Sequence, residues 1–199
     1  GCPAMRFNFD EQPFIVIWET TRACSLACRH CRAAAMAERH PLAVVTRSPS
    51  STLRIIEECP LPVVYLRTIG EVEAFLDTQD ITMVLYVNNS MRNFQMLRFA
   101  SPLHVFVNHG ESEKSCMTSN QLRAYNFCFV AGDAAIQRIS EKLVDFDTER
   151  RLVPIGRPQV DVVAEAPDLP ADDRQVVLYA PTWEGDRPSM RYGSVVSHG

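Results

Sequence analysis

Three thiols fall together at Cys24, Cys28 and Cys31, in the spacing CxxxCxxC, shortly after the apolar run of residues 14–18, FIVIW. Three thiolates offered by one loop suit three irons of a [4Fe-4S] cube and leave the fourth iron open to a substrate or cofactor. Zinc is the other metal this spacing admits. A closed zinc site wants a fourth ligand, which His30 or His40 can supply, and it favours CxxC pairs over CxxxC. A second group lies in VFVNHGESEKS, where His109-Gly110 closes the apolar run of residues 104–107 and Lys114 follows five residues after the histidine. A histidine at the carboxyl end of a strand is placed to act as a base near neutral pH, and the glycine beside it lets a phosphate or another backbone approach. The plainer reading of such a histidine, a packing or surface residue, stands beside the catalytic one.

These groups need a scaffold, and the hydrophobic pattern supplies one. Runs at 44–46, 63–66, 81–87, 104–107, 127–131, 152–155 and 176–179 are rich in β-branched and aromatic residues and nearly unbroken by polar ones. Strands buried on both faces read this way, as in a parallel sheet covered by helices. Helix signals lie between them. Ser50-Ser51-Thr52 precedes Leu53, Ile56 and Glu57; Gly70 precedes Val72, Phe75 and Leu76; Asp133 can cap a helix carrying Ala134, Ile136, Ile139 and Leu143. The alternation predicts a doubly wound α/β domain whose sites lie in the loops after the carboxyl ends of the strands.

The 199 residues, 46% hydrophobic, suffice for one sizeable core. A net charge of -4 gives no global reason to expect a nucleic-acid partner. No apolar run approaches the roughly 20 residues of a membrane-spanning helix, and the opening GCPAMRFNFDEQ carries no secretory signal, so the reducing cytoplasm is the expected location. Seven cysteines, an odd number, do not form a disulfide framework; Cys2, Cys59, Cys116 and Cys128 stand alone and read as small apolar side chains. The proline- and acid-rich stretch 162–174 reads as a linker or surface loop.

The strand, Glu19-Thr20-Thr21-Arg22 and CxxxCxxC together resemble the start of radical SAM enzymes, over about residues 7–42. The resemblance implies that Cys24, Cys28 and Cys31 hold a [4Fe-4S] cluster whose open iron binds S-adenosylmethionine, for reductive cleavage to a 5'-deoxyadenosyl radical. His30 stands where an aromatic residue is common, and no GGEP-like sequence follows. From about residue 44 to 199, the order HGxxxK, a strand ending in Gly132 before a helix, IGRPxxD and YAPTW is similar to the CDP-glycerol glycerophosphotransferases of teichoic-acid-type polymer synthesis, in particular actinobacterial members with an NHGESxK variant. That resemblance implies a GT-B-like fold of two Rossmann-like domains. It also implies transfer of glycerol phosphate from CDP-glycerol to an acceptor hydroxyl, with His109 as the base.

On the same resemblance Lys114 and Arg157 are charge partners for phosphate, a point charge and a bidentate fork, with solvated surface cations as the plainer reading. Thr182 and Trp183 would line the donor pocket; Glu184 stands where many relatives have arginine. The partners implied are nucleotide-activated glycerol phosphate and a lipid-linked polymer acceptor met at the inner membrane face, with peripheral association there and no nucleic acid.

The organisation expected is thus a radical SAM-like segment at 1–43, a Rossmann-like domain at 44–161, a linker at 162–175 and the start of a second domain at 176–199. The fold class expected is α/β, a GT-B-type amino-terminal domain with only the beginning of its second domain. Because most nucleotide-binding residues of that family lie in the second domain, the chain by itself is expected to give no turnover. A radical SAM fragment and a non-catalytic chimeric fragment are the alternatives.

Overall fold

A computed structural model describes residues 14–19, 42–59, 61–108 and 115–157. Seven strands run through them: β1 Phe14–Glu19, β2 Leu42–Thr46, β3 Val63–Tyr65, β4 Ile81–Tyr86, β5 Leu103–Phe106, β6 Phe127–Val130 and β7 Leu152–Pro154. All pair in parallel, in one sheet of order β3-β2-β1-β4-β5-β6-β7. This is the parallel α/β sheet that the unbroken apolar runs predict. The helices are α1 Pro49–Glu58, α2 Ile69–Thr78, α3 Phe94–Leu97, α4 Asp133–Lys142 and α5 Thr148–Arg151.

Strand β1, which the sequence groups with the cysteine segment, is interior to the sheet. It pairs with β2 on one side, Ile17 opposite Val44, and with β4 on the other, Ile17 opposite Leu85. From β1 the chain winds outward through β2 and β3, and from β4 it winds the other way through β5, β6 and β7. The direction reverses between β1 and β4, and in open α/β sheets ligands bind at the carboxyl side of that reversal.

Alternation along the strands divides the core in two. Val16, Trp18, Val45, Val84, Tyr86 and Phe106 face one layer, where Val72 of α2, Met96 of α3 and Ala135 and Ile139 of α4 pack. Ile17, Val44, Leu85 and Val105 face the other, where Ile55 of α1 packs. Helices therefore cover both faces, as a fully buried parallel sheet requires.

Several helix details differ from the sequence reading. Helix α1 starts one turn earlier than Ser50-Ser51-Thr52 suggests, with Ser48 at the cap and Pro49 in the first turn, where its missing N–H costs nothing. Leu53 and Ile56 are exposed, at 67% and 56%, while Ser51, Thr52 and Ile55 face the sheet. The small hydroxyl residues let α1 sit close to β2, and Thr46 Oγ1 and Thr52 Oγ1 bond at 2.7 Å. Helix α2 is started by Thr68, before Gly70. Its hydroxyl accepts from the Glu71 amide at 3.2 Å while the Glu71 carboxylate accepts from the Thr68 amide at 2.9 Å, a reciprocal capping box. Asp133 lies inside the first turn of α4 and the cap is Gly132. Residues 162–199, with the linker and the start of a second domain, lie outside the described residues.

Candidate functional site

Seven parallel strands deliver the chain to one edge of the sheet, and the described site is built on the ends of β4 and β5. Strand β5 stops at Phe106, and the amides of Val107 and Asn108 both donate to the Tyr86 carbonyl at the end of β4, at 3.0 and 3.2 Å. Asn108 has φ of 56°. That left-handed conformation is strained for most side chains and tolerated by asparagine. Its side chain is buried at 3% exposure and donates from Nδ2 to Met117 Sδ at 3.4 Å. Met117 belongs to the 3-10 turn Ser115–Thr118, so the bond joins the end of β5 to that turn.

The end of β4 is fixed by an amide and hydroxyl network. Ser90 Oγ accepts from the Arg92 amide and starts the 3-10 turn Met91–Asn93, which runs into α3. Asn93 is 1% exposed, and its Nδ2 donates to the Asn88 carbonyl and to Tyr125 Oη, both at 2.8 Å. Tyr125 Oη donates to Asn89 Oδ1 at 3.5 Å, and Asn89 Nδ2 donates to Ser119 Oγ at 3.2 Å. Burial pushes the Tyr125 phenol up to about 12, so it keeps its proton and can accept from one asparagine while donating to the other. The network joins the loop after β4 to the turns that follow residue 114. A pocket beside Asn108 is lined by Phe106, Met117, Thr118, Cys128 and Arg138.

One layer below lies a second polar pair. Tyr86 Oη and His104 Nδ1 are 2.7 Å apart, and His104 Nε2 is 2.7 Å from the Phe99 carbonyl. A carbonyl can only accept, so Nε2 carries the proton. Burial lowers the His104 pKa, which favours the neutral ring, and Nδ1 then accepts from the tyrosine. The pair positions β4 against β5 and its polar atoms are occupied.

Of the residues singled out by sequence, Arg157 is the one described. It is exposed, follows Gly156 at φ of 74° and lies past the end of β7. Two strand spacings, roughly 10 Å, separate the β5 and β7 axes. His109, Lys114, Thr182, Trp183, Cys24, Cys28 and Cys31 lie outside the described residues. The cluster and S-adenosylmethionine expected on the three cysteines therefore rest on the sequence. Among the described residues no group of three or more His, Cys, Asp or Glu side chains could hold a metal, and Cys59 and Cys128 are separate free thiols. No helix among them is long and apolar enough to cross a membrane.

Sequence reasoning missed Asn93, Tyr125 and the left-handed Asn108. The partners are 32 residues apart in the Asn93–Tyr125 bond, a separation that leaves no local pattern. For Asn108 a signal existed, an asparagine between an apolar strand and His109-Gly110.

No protein-family model matches the chain. It is 34% identical over 64 residues to an AdoMet-dependent heme synthase of Oleidesulfovibrio alaskensis, a stretch that is 32% of this chain and 14% of that protein. The fold is similar to the crystal structure of a glycosyltransferase from Rickettsia africae, with a TM-score of 0.50 and 8% identity, over 73% of this chain and 43% of that one. The chain thus spans less than half the length of either protein. The second likeness concerns the fold: a Rossmann-like sheet of the kind a glycosyltransferase contains.

Proposed function

We propose that this chain forms the acceptor-side Rossmann domain of a transferase that moves glycerol phosphate from CDP-glycerol to a hydroxyl of a lipid-linked polymer at the inner membrane face. The observation that carries the reading is the end of β5. Buried Asn108, held left-handed by β4 and Met117, lies at the carboxyl edge of a parallel sheet, and His109-Gly110 follow it in the sequence. That edge is where such sheets bind ligands. In the proposed reaction His109 takes the proton of the acceptor hydroxyl as its oxygen attacks phosphorus, and CMP leaves. Lys114 and Arg157 offset charge on the transferring phosphoryl group, and Thr182 and Trp183 line the donor side.

The assay is CMP release from CDP-glycerol with a lipid-linked acceptor, by the chain together with a CDP-glycerol-binding domain. Release should need the acceptor and fall by about 10²- to 10⁴-fold in His109→Ala, the usual scale of general-base catalysis. Release indifferent to His109 would remove the base assignment. No release from the paired domains would remove the substrate.

A second reading is supported by the 34% identity to an AdoMet-dependent enzyme, together with CxxxCxxC in the segment that follows β1. On it, Cys24, Cys28 and Cys31 hold a [4Fe-4S] cluster that binds S-adenosylmethionine. Anaerobic reconstitution with iron and sulfide should then give a broad brown absorbance, lost in the triple alanine variant. Colourless, iron-free protein would leave the cysteines without this role, and failure of both assays would leave a non-catalytic fragment.

A further inference from the structure

At the direction reversal of the sheet, three donor atoms are buried with no acceptor among the described residues. Trp18, near the end of β1, is 1% exposed and its indole Nε1–H has no hydrogen-bond partner. Arg47, the residue after β2, lies over that ring with its guanidinium carbon 5.7 Å from the ring centroid. Its Nη2 donates to the Arg67 carbonyl at 3.0 Å, while Nε and Nη1, which carry three of the five guanidinium N–H groups, are buried without an acceptor. A buried donor left unpaired costs stability, and more so when it is charged, so this arrangement is unfavourable unless something accepts from it.

A guanidinium is matched best by an anionic acceptor; of the charges acting on Arg47, the negative Glu71 weighs most and the positive Arg92 least. The Glu71 carboxylate is already engaged by the Thr68 and Arg67 amides at the start of α2, and Arg92 adds a second positive charge. Trp18 is the last residue but one of β1 and Arg47 follows β2, so both lie at the carboxyl edge of the sheet, and Arg47 is itself partly exposed.

We infer that Arg47 and Trp18 form an oxyanion-binding site at the carboxyl edge of β1 and β2, taking a phosphoryl or carboxylate group. The guanidinium supplies charge and directional N–H groups, and the indole beneath it supplies a single donor that fixes the depth of the anion. The inference needs neither of the functional readings above.

The test reads the indole N–H resonances by two-dimensional ¹H–¹⁵N NMR on the whole chain, whose two tryptophans, Trp18 and Trp183, are distinguished with Trp183→Phe. Inorganic phosphate and acetate are titrated separately at constant ionic strength, with chloride as the control. The expected result is a saturable shift of the Trp18 indole with at least one oxyanion and none with chloride. Movement with phosphate alone assigns a phosphoryl ligand, and with acetate alone a carboxylate. Arg47→Met should abolish the shift, and Arg47→Lys, which keeps the charge and loses the fork, should weaken binding at least tenfold, both with circular dichroism of the folded chain. No saturable movement with either oxyanion, or movement that persists in a folded Arg47→Met chain, would overturn the site.

Discussion

Tyr86→Phe removes one oxygen from the centre of the molecule and isolates the interaction that joins β4 to β5. Tyr86 is 0% exposed, and its hydroxyl is the donor to His104 Nδ1, whose other nitrogen is committed to the Phe99 carbonyl. Phenylalanine keeps the ring and its tilted contact with Tyr125, whose centroid is 5.1 Å away, so little packing is lost. What remains is a buried imidazole lone pair with no donor, a cost of ~1–3 kcal/mol. For a chain of this length that corresponds to a fall in Tm of about 2–12 °C. Urea denaturation followed by far-UV circular dichroism measures it directly. Combining the change with His104→Leu should show a coupling of ~0.5–3 kcal/mol, since either single change alone already breaks the bond. A Tyr86→Phe chain as stable as wild type, with additive behaviour in the double variant, would refute the assignment of the bond and of the tautomer.

Two further outcomes follow from the same structure. Ile17→Ala, at a site 0% exposed between β2 and β4, should cost ~2–5 kcal/mol, whereas Ile56→Ala on the open face of α1 should stay within ~0.5 kcal/mol; chemical denaturation compares them. Because burial holds the His104 pKa below its unfolded value, the unfolded chain binds more protons as the ring titrates. Its contribution to stability is complete above the unfolded pKa near 6.5 and is lost as pH falls toward the folded pKa. Tm should therefore decline on acidification below about pH 6.5, with a shallower decline in His104→Gln.

The sheet was legible because parallel strands buried on both faces leave no polar residue to break the run, as in Leu42–Thr46, where all five residues are buried. The partner of a strand is not legible this way. The run that became β1 has no feature naming β2 and β4 as its neighbours, and its proximity to Cys24 grouped it with the metal-ligand segment. For α1, Leu53 and Ile56 share an apolar spacing, yet Ser51 and Thr52 took the inner face because close approach to β2 favours small side chains that can bond to Thr46. His109 is singled out by its place after an apolar run in the sequence and lies outside the described residues. The Asn88–Asn93–Tyr125 network depends on contacts across the sheet, and the unpartnered donors of Trp18 and Arg47 become visible once β1 and β2 are side by side.

Everything proposed for the carboxyl edge depends on β1 being an interior strand of the sheet that also carries β5. Native-state hydrogen exchange tests this most directly, through the amides of Val16, Ile17 and Trp18 in β1 and of Val84, Leu85 and Tyr86 in β4. If β1 is held between β2 and β4, both sets should exchange only through global unfolding, with the same opening free energy and the same response to denaturant. Rapid exchange of the β1 amides while those of β4 stay protected would contradict the account.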